Sequence, residues 1–228
     1  PQTTLSENER PFNPPIMGWS SWNAFLVDIS EDIIKHQADL MVEKGLKDAG
    51  YQYINVDDGY FGKRDENGVM QANEKRFPNG MKPVADHIHS LGMKAGLYTD
   101  AGTRTCGSLW NKDSIGIGAG IYGHEPQDAQ LYFGDWGFDF IKIDYCGGEV
   151  LGLDEKERYT SIRNSIDKVN KNVSINICRW AYPGTWAKDA ATSWRISGDI
   201  NAHWNSLKYV VGKNLYLSAY AGNGHYND

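Results

Sequence analysis

The chain has 228 residues, 40% of them hydrophobic and 23% charged, which suits one large folded domain or two small ones. Its net charge of −6 offers neither nucleic acid nor an acidic membrane surface an electrostatic attraction. No apolar run approaches the roughly 18 residues a membrane span needs, and the polar opening Pro1-Gln2-Thr3-Thr4 reads as the start of a mature or trimmed protein.

Strand-like and helix-like segments alternate from there on. Residues 16–22 read as a first strand. Ser30 then caps a helix whose Ile34, Ala38, Met41 and Val42 share a face, with Gly50 placed to end it. A second strand at 53–57 precedes a helix carrying Met81, Val84, Ala85, Ile88 and Leu91 and stopping at Gly92. A third strand at 94–99 is followed by a helix from about 124 to 136, closed by Gly137. After a fourth strand at 140–145, Asp154 with Glu157 three residues on forms a capping box for a helix bearing Tyr159, Ile162, Ile166 and Val169. Strand 174–178, a short helix after Pro183 and strand 194–197 come next. The last helix, after Asp199, holds Trp204, Leu207 and Val211 and ends at Gly212, before a seventh strand at 214–219.

Such alternation means parallel strands joined by crossover helices. Six units plus a seventh strand, at this length, favour an α/β (β/α)₈ TIM barrel over an open doubly wound sheet. The first strand is followed by Trp22-Asn23-Ala24-Phe25 and not by a glycine-rich phosphate turn. No eighth strand follows, so the expectation is a barrel truncated after about its seventh strand: residues 1–12 an N-terminal extension, residues 13–228 an incomplete catalytic barrel.

Residues 140–146, Phe-Ile-Lys-Ile-Asp-Tyr-Cys, set the central question. The stretch is apolar enough for a buried strand, yet Lys142 and Asp144 lie two residues apart and so share one face. Burying such charges is costly unless they are paired. Barrel chemistry sits at the C-terminal strand ends, and several strands here end in acids: Asp57-Asp58, Asp100, Asp144 and Asp199. Acids converging on one mouth suit metal binding, sugar binding or paired-carboxylate catalysis. Metal is disfavoured because these strand ends lack histidines, and His87 and His89 fall within a helix on different faces. The expectation is no metal and no cofactor. Gly116-Ile117-Gly118-Ala119-Gly120 lacks the Lys-Ser/Thr of a phosphate loop and reads as a flexible loop over the mouth.

Two carboxylates suffice for glycoside hydrolysis, standing about 5–5.5 Å apart when configuration is retained. Lys142 beside Asp144 favours the ionised nucleophile, and repulsion from Asp144 holds a proton on Asp199 until Asp144 is esterified. Three cysteines, Cys106, Cys146 and Cys178, leave at least one unpaired and lack zinc-site spacing. One disulfide with a buried thiol is compatible with an oxidising compartment.

Several motifs in order along the chain resemble glycoside hydrolase family twenty-seven, the α-galactosidases and α-N-acetylgalactosaminidases. They are Met17-Gly18-Trp19-Ser20-Ser21-Trp22-Asn23, Val56-Asp57-Asp58, Leu97-Tyr98-Thr99-Asp100-Ala101-Gly102, Lys142-Ile143-Asp144-Tyr145-Cys146, Trp194-Arg195-Ile196-Ser197-Gly198-Asp199 and Gly224-His225-Tyr226-Asn227-Asp228. The resemblance implies Asp144 as nucleophile and Asp199 as acid/base in a retaining exo-hydrolase releasing terminal α-D-galactose. It implies Asp57 and Asp58 on the O4 and O6 side of the sugar, Trp22 and Tyr98 lining the pocket, Lys142 on a ring hydroxyl, and Arg195 on the O2 side. A Cys106–Cys146 disulfide at the pocket rim, an eighth barrel unit and a C-terminal β-sandwich belong to the same pattern. Where the family commonly carries Cys-Glu-Trp, this chain has Cys178-Arg179-Trp180, placing Arg179 near the O2 side. Cys178 lacks its usual partner, because Thr192-Ser193 occupies the matching region, and is expected free and buried. The expected partner is a terminal galactose or galactose-like sugar of an oligo- or polysaccharide, in a secreted or periplasmic setting, with homo-oligomerisation left open. Within the family, β-L-arabinopyranosidase and α-N-acetylgalactosaminidase activities are the alternatives; outside it, a non-catalytic galactose-binding barrel.

Overall fold

The computed structural model describes residues 13–228, so the expected extension at 1–12 lies outside the described residues. In chain order the elements are β1 (Gly18–Ser20), α1 (Trp22–Phe25), α2 (Glu31–Glu43), β2 (Tyr53–Asn55), β3 (Phe61–Arg64), β4 (Met70–Ala72), α3 (Lys82–Ser90), β5 (Lys94–Asp100) and α4 (Cys106–Trp110). They continue with α5 (Glu125–Ala129), β6 (Phe140–Asp144), α6 (Cys146–Val150), α7 (Glu155–Asp167), β7 (Ser174–Cys178), α8 (Ala187–Ala190), β8 (Ser193–Trp194), α9 (Trp204–Leu217) and β9 (Tyr226–Asn227).

Seven strands pair in parallel in the order β1-β2-β5-β6-β7-β8-β9, and β3 and β4 form a separate antiparallel hairpin. Period-two alternation sorts the sheet into an apolar outer face and a polar inner one. Outward go Ile54, Ile141, Ile143, Ile175 and Ile177, all buried beneath the helix layer. Inward go Ser20, Asn55, Lys142, Asn176 and Ser193, which line one common space of about 810 Å³ together with Tyr226 of β9. Residues from both outer strands face the same space, so the sheet is curled. The fold is a (β/α)₈-type barrel of which seven strands are present among the described residues.

The helices cover the outer face as the apolar spacing dictates. Ser30 accepts from the Ile33 N–H at the start of α2, and Asp154 accepts from the Glu157 N–H at the start of α7. Tyr159, Ile162 and Ile166 of α7 are fully buried.

Two expectations are corrected. Residues 214–219 are not a strand: α9 runs through Gly212 to Leu217, and the seventh strand is Tyr226–Asn227. Gly212 sits in open space within the helix, where a glycine costs only about 1 kcal/mol and need not stop it. Likewise α2 closes at Gly45, with φ 73°, and not at Gly50. The β3–β4 hairpin escaped the sequence reading. Its turn was marked by Asn67-Gly68, with Asp65 Oδ1 accepting from the N–H groups of Asn67 and Val69.

Where β5 leads into the loop beside α6, two backbones touch. A Cβ on Gly102 would stand 2.1 Å from the carbonyl carbon of Gly147, against backbone that cannot swing aside. Gly102→Ala is therefore expected to lower the unfolding free energy by about 1–3 kcal/mol in a urea titration. An unchanged midpoint would show that the two loops are free to part.

Candidate active site

The C-terminal ends of the strands build a pocket of about 330 Å³ with an acidic floor. Parallel register aligns Tyr98 of β5, Lys142 of β6 and Asn176 of β7 in one row, and Asp100, Asp144 and Cys178 in the next. Lys142 stretches across the ring of Tyr98, 5.2 Å from its centroid. Its Nζ meets Asp57 Oδ2 at 2.9 Å and stands 4.0 Å from Asp144 Oδ2. One ammonium thus serves two buried carboxylates.

Each floor residue is held from behind. The Asp57 N–H donates to Ser21 Oγ, Ser20 Oγ donates to Asp57 Oδ2, and the Asp58 N–H donates to Asp57 Oδ1. Asp58 Oδ2 accepts from the Gly107 N–H at 2.9 Å, so the carboxylate is tied to α4. The Cys106 N–H donates to the Tyr98 hydroxyl at 3.3 Å. Cys106 and Cys146, at the starts of α4 and α6, are joined by a disulfide with Cα atoms 5.2 Å apart. Asp100 braces the same loops by accepting from the N–H groups of Gly102 and Gly147. Asp100 and the two sulfurs lie close enough to suggest a ligand cluster. Because both sulfurs are occupied by the disulfide, the group is a loop brace and not a thiolate metal site.

Burial dominates the electrostatics. It pushes Asp58 up to about 7, helped by the neighbouring Asp57 charge and opposed by hydrogen bonds from Thr105 and Gly107. It pushes Asp100 up to about 8 against three backbone donors. For Lys142, burial works downward, but the Asp57 and Asp144 carboxylates outweigh it and hold the ammonium charged. Asp144 is raised on balance, because burial outweighs the downward pull of Lys142 and of hydrogen bonds from Cys178 and Tyr98. Lys142 acts on Asp144 in the direction the sequence predicts, but from farther away than on Asp57. One oxygen each of Asp144 and Asp58 is buried with no hydrogen-bond partner, an arrangement that costs about 1–3 kcal/mol per group until a donor arrives.

Trp22, Asp57, Asp58, Tyr98, Cys106, Lys142, Asp144 and Asp199 all line this pocket, and Cys146 lies behind Cys106. Asp199 is 62% exposed, at the open side, with its carboxylate 3.1 Å from Arg195 Nη2. Its near neighbour is therefore a cation. Arg195 lines the larger barrel space beside Asp199. Arg179 is not brought in. Its Nε pairs with Glu155 at 2.5 Å and its guanidinium lies over Tyr145, facing α7. The glycine run does not cover the mouth either. Gly116 packs on Thr105, Gly120 on Gly102, and the carbonyls of Gly118 and Gly120 accept from Arg64 of the hairpin.

Five lining residues are not among the pocket residues expected from the sequence: Leu26, Trp110, Asn111, Cys178 and Trp180. Cys178 is free and buried, as expected from its missing partner. Its place beside Asp144 follows from the strand register, which only the pairing of β6 with β7 reveals. Leu26 and Trp180 both adopt left-handed backbone, φ 51° and 60°, at a cost of order 1–3 kcal/mol each.

The family model described as Alpha galactosidase A (Melibiase_2) matches residues 14–228. The chain belongs to that family. Among curated members of this alpha-galactosidase family, it is 39% identical to alpha-galactosidase A of Cellvibrio japonicus, with 100% of this chain covering 56% of that protein. It is 41% identical to the alpha-galactosidase of Cyamopsis tetragonoloba, with 98% of this chain covering 52% of that one. The crystal structure of alpha-galactosidase I from Mortierella vinacea superposes with a TM-score of 0.84 at 31% identity, covering 94% of this chain and 58% of that one. The chain thus spans a little over half the length of these relatives.

The raised Asp58 makes a pH prediction. Its folded value of about 7 lies above the ordinary 3.8, so the folded chain keeps a proton there that the unfolded chain releases. This contribution to stability is present below about pH 4 and is lost as pH rises toward 7. Asp58→Asn, neutral throughout, should gain Tm relative to the parent between those limits. A difference that stays constant with pH would contradict the assignment.

Proposed function

We propose that the protein to which this chain belongs is a retaining exo-glycoside hydrolase that releases terminal α-D-galactose. The observation that carries the reading is the floor itself: Lys142 between Asp57 and Asp144 in a pocket that also contains Asp58, Tyr98 and, at its open side, Asp199. Its unpartnered carboxylate oxygens match a ligand rich in hydroxyl donors. The names of the relatives, alpha-galactosidases throughout those reported, support galactose as the sugar. A Saccharomyces cerevisiae relative, 32% identical with a TM-score of 0.84, has been solved with raffinose.

In this reading the sugar's O4 and O6 hydroxyls donate to Asp57 and Asp58, and Lys142 donates to a ring hydroxyl near Asp144. Asp144 attacks the anomeric carbon while Asp199 protonates the departing oxygen, giving a covalent glycosyl-enzyme. Asp199 then takes a proton from water, which displaces Asp144 and restores the α configuration. Exposure suits Asp199 to exchanging protons with solvent and aglycone, whereas Asp144 is enclosed. The burial that raises Asp144 disfavours its anion in the resting pocket, and hydroxyls hydrogen-bonding to the carboxylate favour it when substrate binds. Arg195, paired with Asp199, orients the acid/base and reaches the O2 side through the adjoining space.

The disulfide fits a secreted or periplasmic setting, and no helix among the described residues is long and apolar enough to cross a membrane. The likeness to a Geobacillus stearothermophilus β-L-arabinopyranosidase, at 24% identity, is one of fold.

In the full-length protein, Asp144→Asn should abolish turnover of an aryl α-galactoside, while Asp199→Ala should lower kcat/KM by about 10²- to 10⁴-fold. Proton NMR should show α-galactose as the first product. Wild-type turnover in Asp144→Asn would sink the nucleophile assignment. Faster cleavage of β-L-arabinopyranosides or α-N-acetylgalactosaminides would shift the sugar, and galactose binding without turnover would replace the hydrolase by a binding barrel.

A further inference from the structure

The pocket has two chemistries, and the mechanism above uses only one. Asp57, Asp58, Tyr98 and Asp144 on the floor are each no more than 5% exposed, whereas the opening is edged by Leu26 at 46% and Trp110 at 76%. A tryptophan so open to water is unusual unless its face meets something.

Trp110 is also held in place. It ends α4, four residues after Cys106, and therefore lies on the helix face that carries the disulfide. Its indole N–H points to Cys146 Sγ at 3.4 Å, which fixes the ring edge and leaves a flat face uncovered. The same short helix is capped by Thr105 and donates its Gly107 N–H to Asp58. The floor carboxylate and the rim indole are thus positioned by one five-residue element. Among the described residues, the non-glycine positions with left-handed backbone are Leu26, Lys112 and Trp180. Two of them line this opening and the third follows Trp110 by two residues. Strain of this kind persists where the surroundings over-determine a conformation, and it concentrates at ligand clamps.

Resting on the reading of the floor as the galactose site, we propose that Trp110, with Leu26 and Trp180 beside it, forms a second subsite that stacks the sugar ring on the leaving-group side. The C–H face of a pyranose carries partial positive charge and packs flat against the electron-rich face of an indole. A platform at the open side, where Asp199 protonates the departing oxygen, orients an aglycone that is itself a sugar. Loss of the Trp110 indole therefore costs a substrate with a sugar leaving group more than one with a small leaving group.

The test compares melibiose, whose leaving group is glucose, with α-galactosyl fluoride, whose leaving group is one atom, using the full-length protein. Trp110→Ala should lower kcat/KM on melibiose by about tenfold and leave α-galactosyl fluoride within about twofold of the parent. Trp110→Tyr, which keeps a flat ring, should restore most of the melibiose activity, and Trp110→Leu, apolar but not flat, should not. Equal losses on both substrates in Trp110→Ala, or unchanged melibiose activity, would overturn the subsite and leave the galactosidase reading intact. A parent enzyme that cleaves neither substrate would overturn both.

Discussion

One ammonium group between two carboxylates organises the whole mouth of this barrel. Lys142 is charged because Asp57 and Asp144 face it, and those acids can lie on a buried floor because Lys142 faces them. Neither half stands without the other: taking away one partner of such a buried pair costs about 3–5 kcal/mol. The ammonium reaches Asp57 across the face of Tyr98, so three strands, β2, β5 and β6, must keep their register to within one residue. A slip by one would turn Lys142 outward into the layer of Ile141 and Ile143. The hydrophobic outer face prevents that slip. Packing on the outside therefore specifies charge placement on the inside.

The pairing is uneven, and the unevenness has chemical meaning. Lys142 sits closer to Asp57, leaving Asp144 less compensated and raised by burial. Asp58 is raised further along the same floor, and each of these two acids keeps one oxygen without a donor. Such a floor is electrostatically incomplete by itself and is completed by a ligand that brings several hydroxyl donors at fixed spacing. A sugar does that, whereas a single cation would satisfy charge but compete with Lys142. Asp199, exposed and paired with Arg195, belongs to a different environment, and in the proposed mechanism this contrast separates the nucleophile from the acid/base.

Much of this was legible in the residues because period two is a local property. Lys142 and Asp144 share a face whatever the rest of the chain does, and the helix caps at Ser30 and Asp154 are set within three residues. The opening motifs likewise placed Asp57, Asp58, Tyr98 and Asp199 at one mouth. What escaped was set by tertiary contact. That Lys142 prefers Asp57 depends on a reach across an intervening strand. Arg179 follows directly on β7, yet its side chain is drawn away by Glu155 at the start of α7, a partner 24 residues distant. Gly212 read as a helix stop because a glycine's local cost is visible in sequence and the helix's continuation is not. Trp110 attracted no notice because nothing local distinguishes an exposed rim tryptophan from one in the core.

The central claim is that Asp144 forms the bond to sugar. It is tested most directly by trapping that bond in the full-length protein with a fluorinated galactosyl fluoride that forms the glycosyl-enzyme faster than it hydrolyses, then mapping the labelled peptide by mass spectrometry. The account predicts one sugar per protein, attached to Asp144 in the peptide that contains Lys142 and Cys146. A label on Asp57, Asp58 or Asp199 would contradict it, as would rapid turnover with no covalent species.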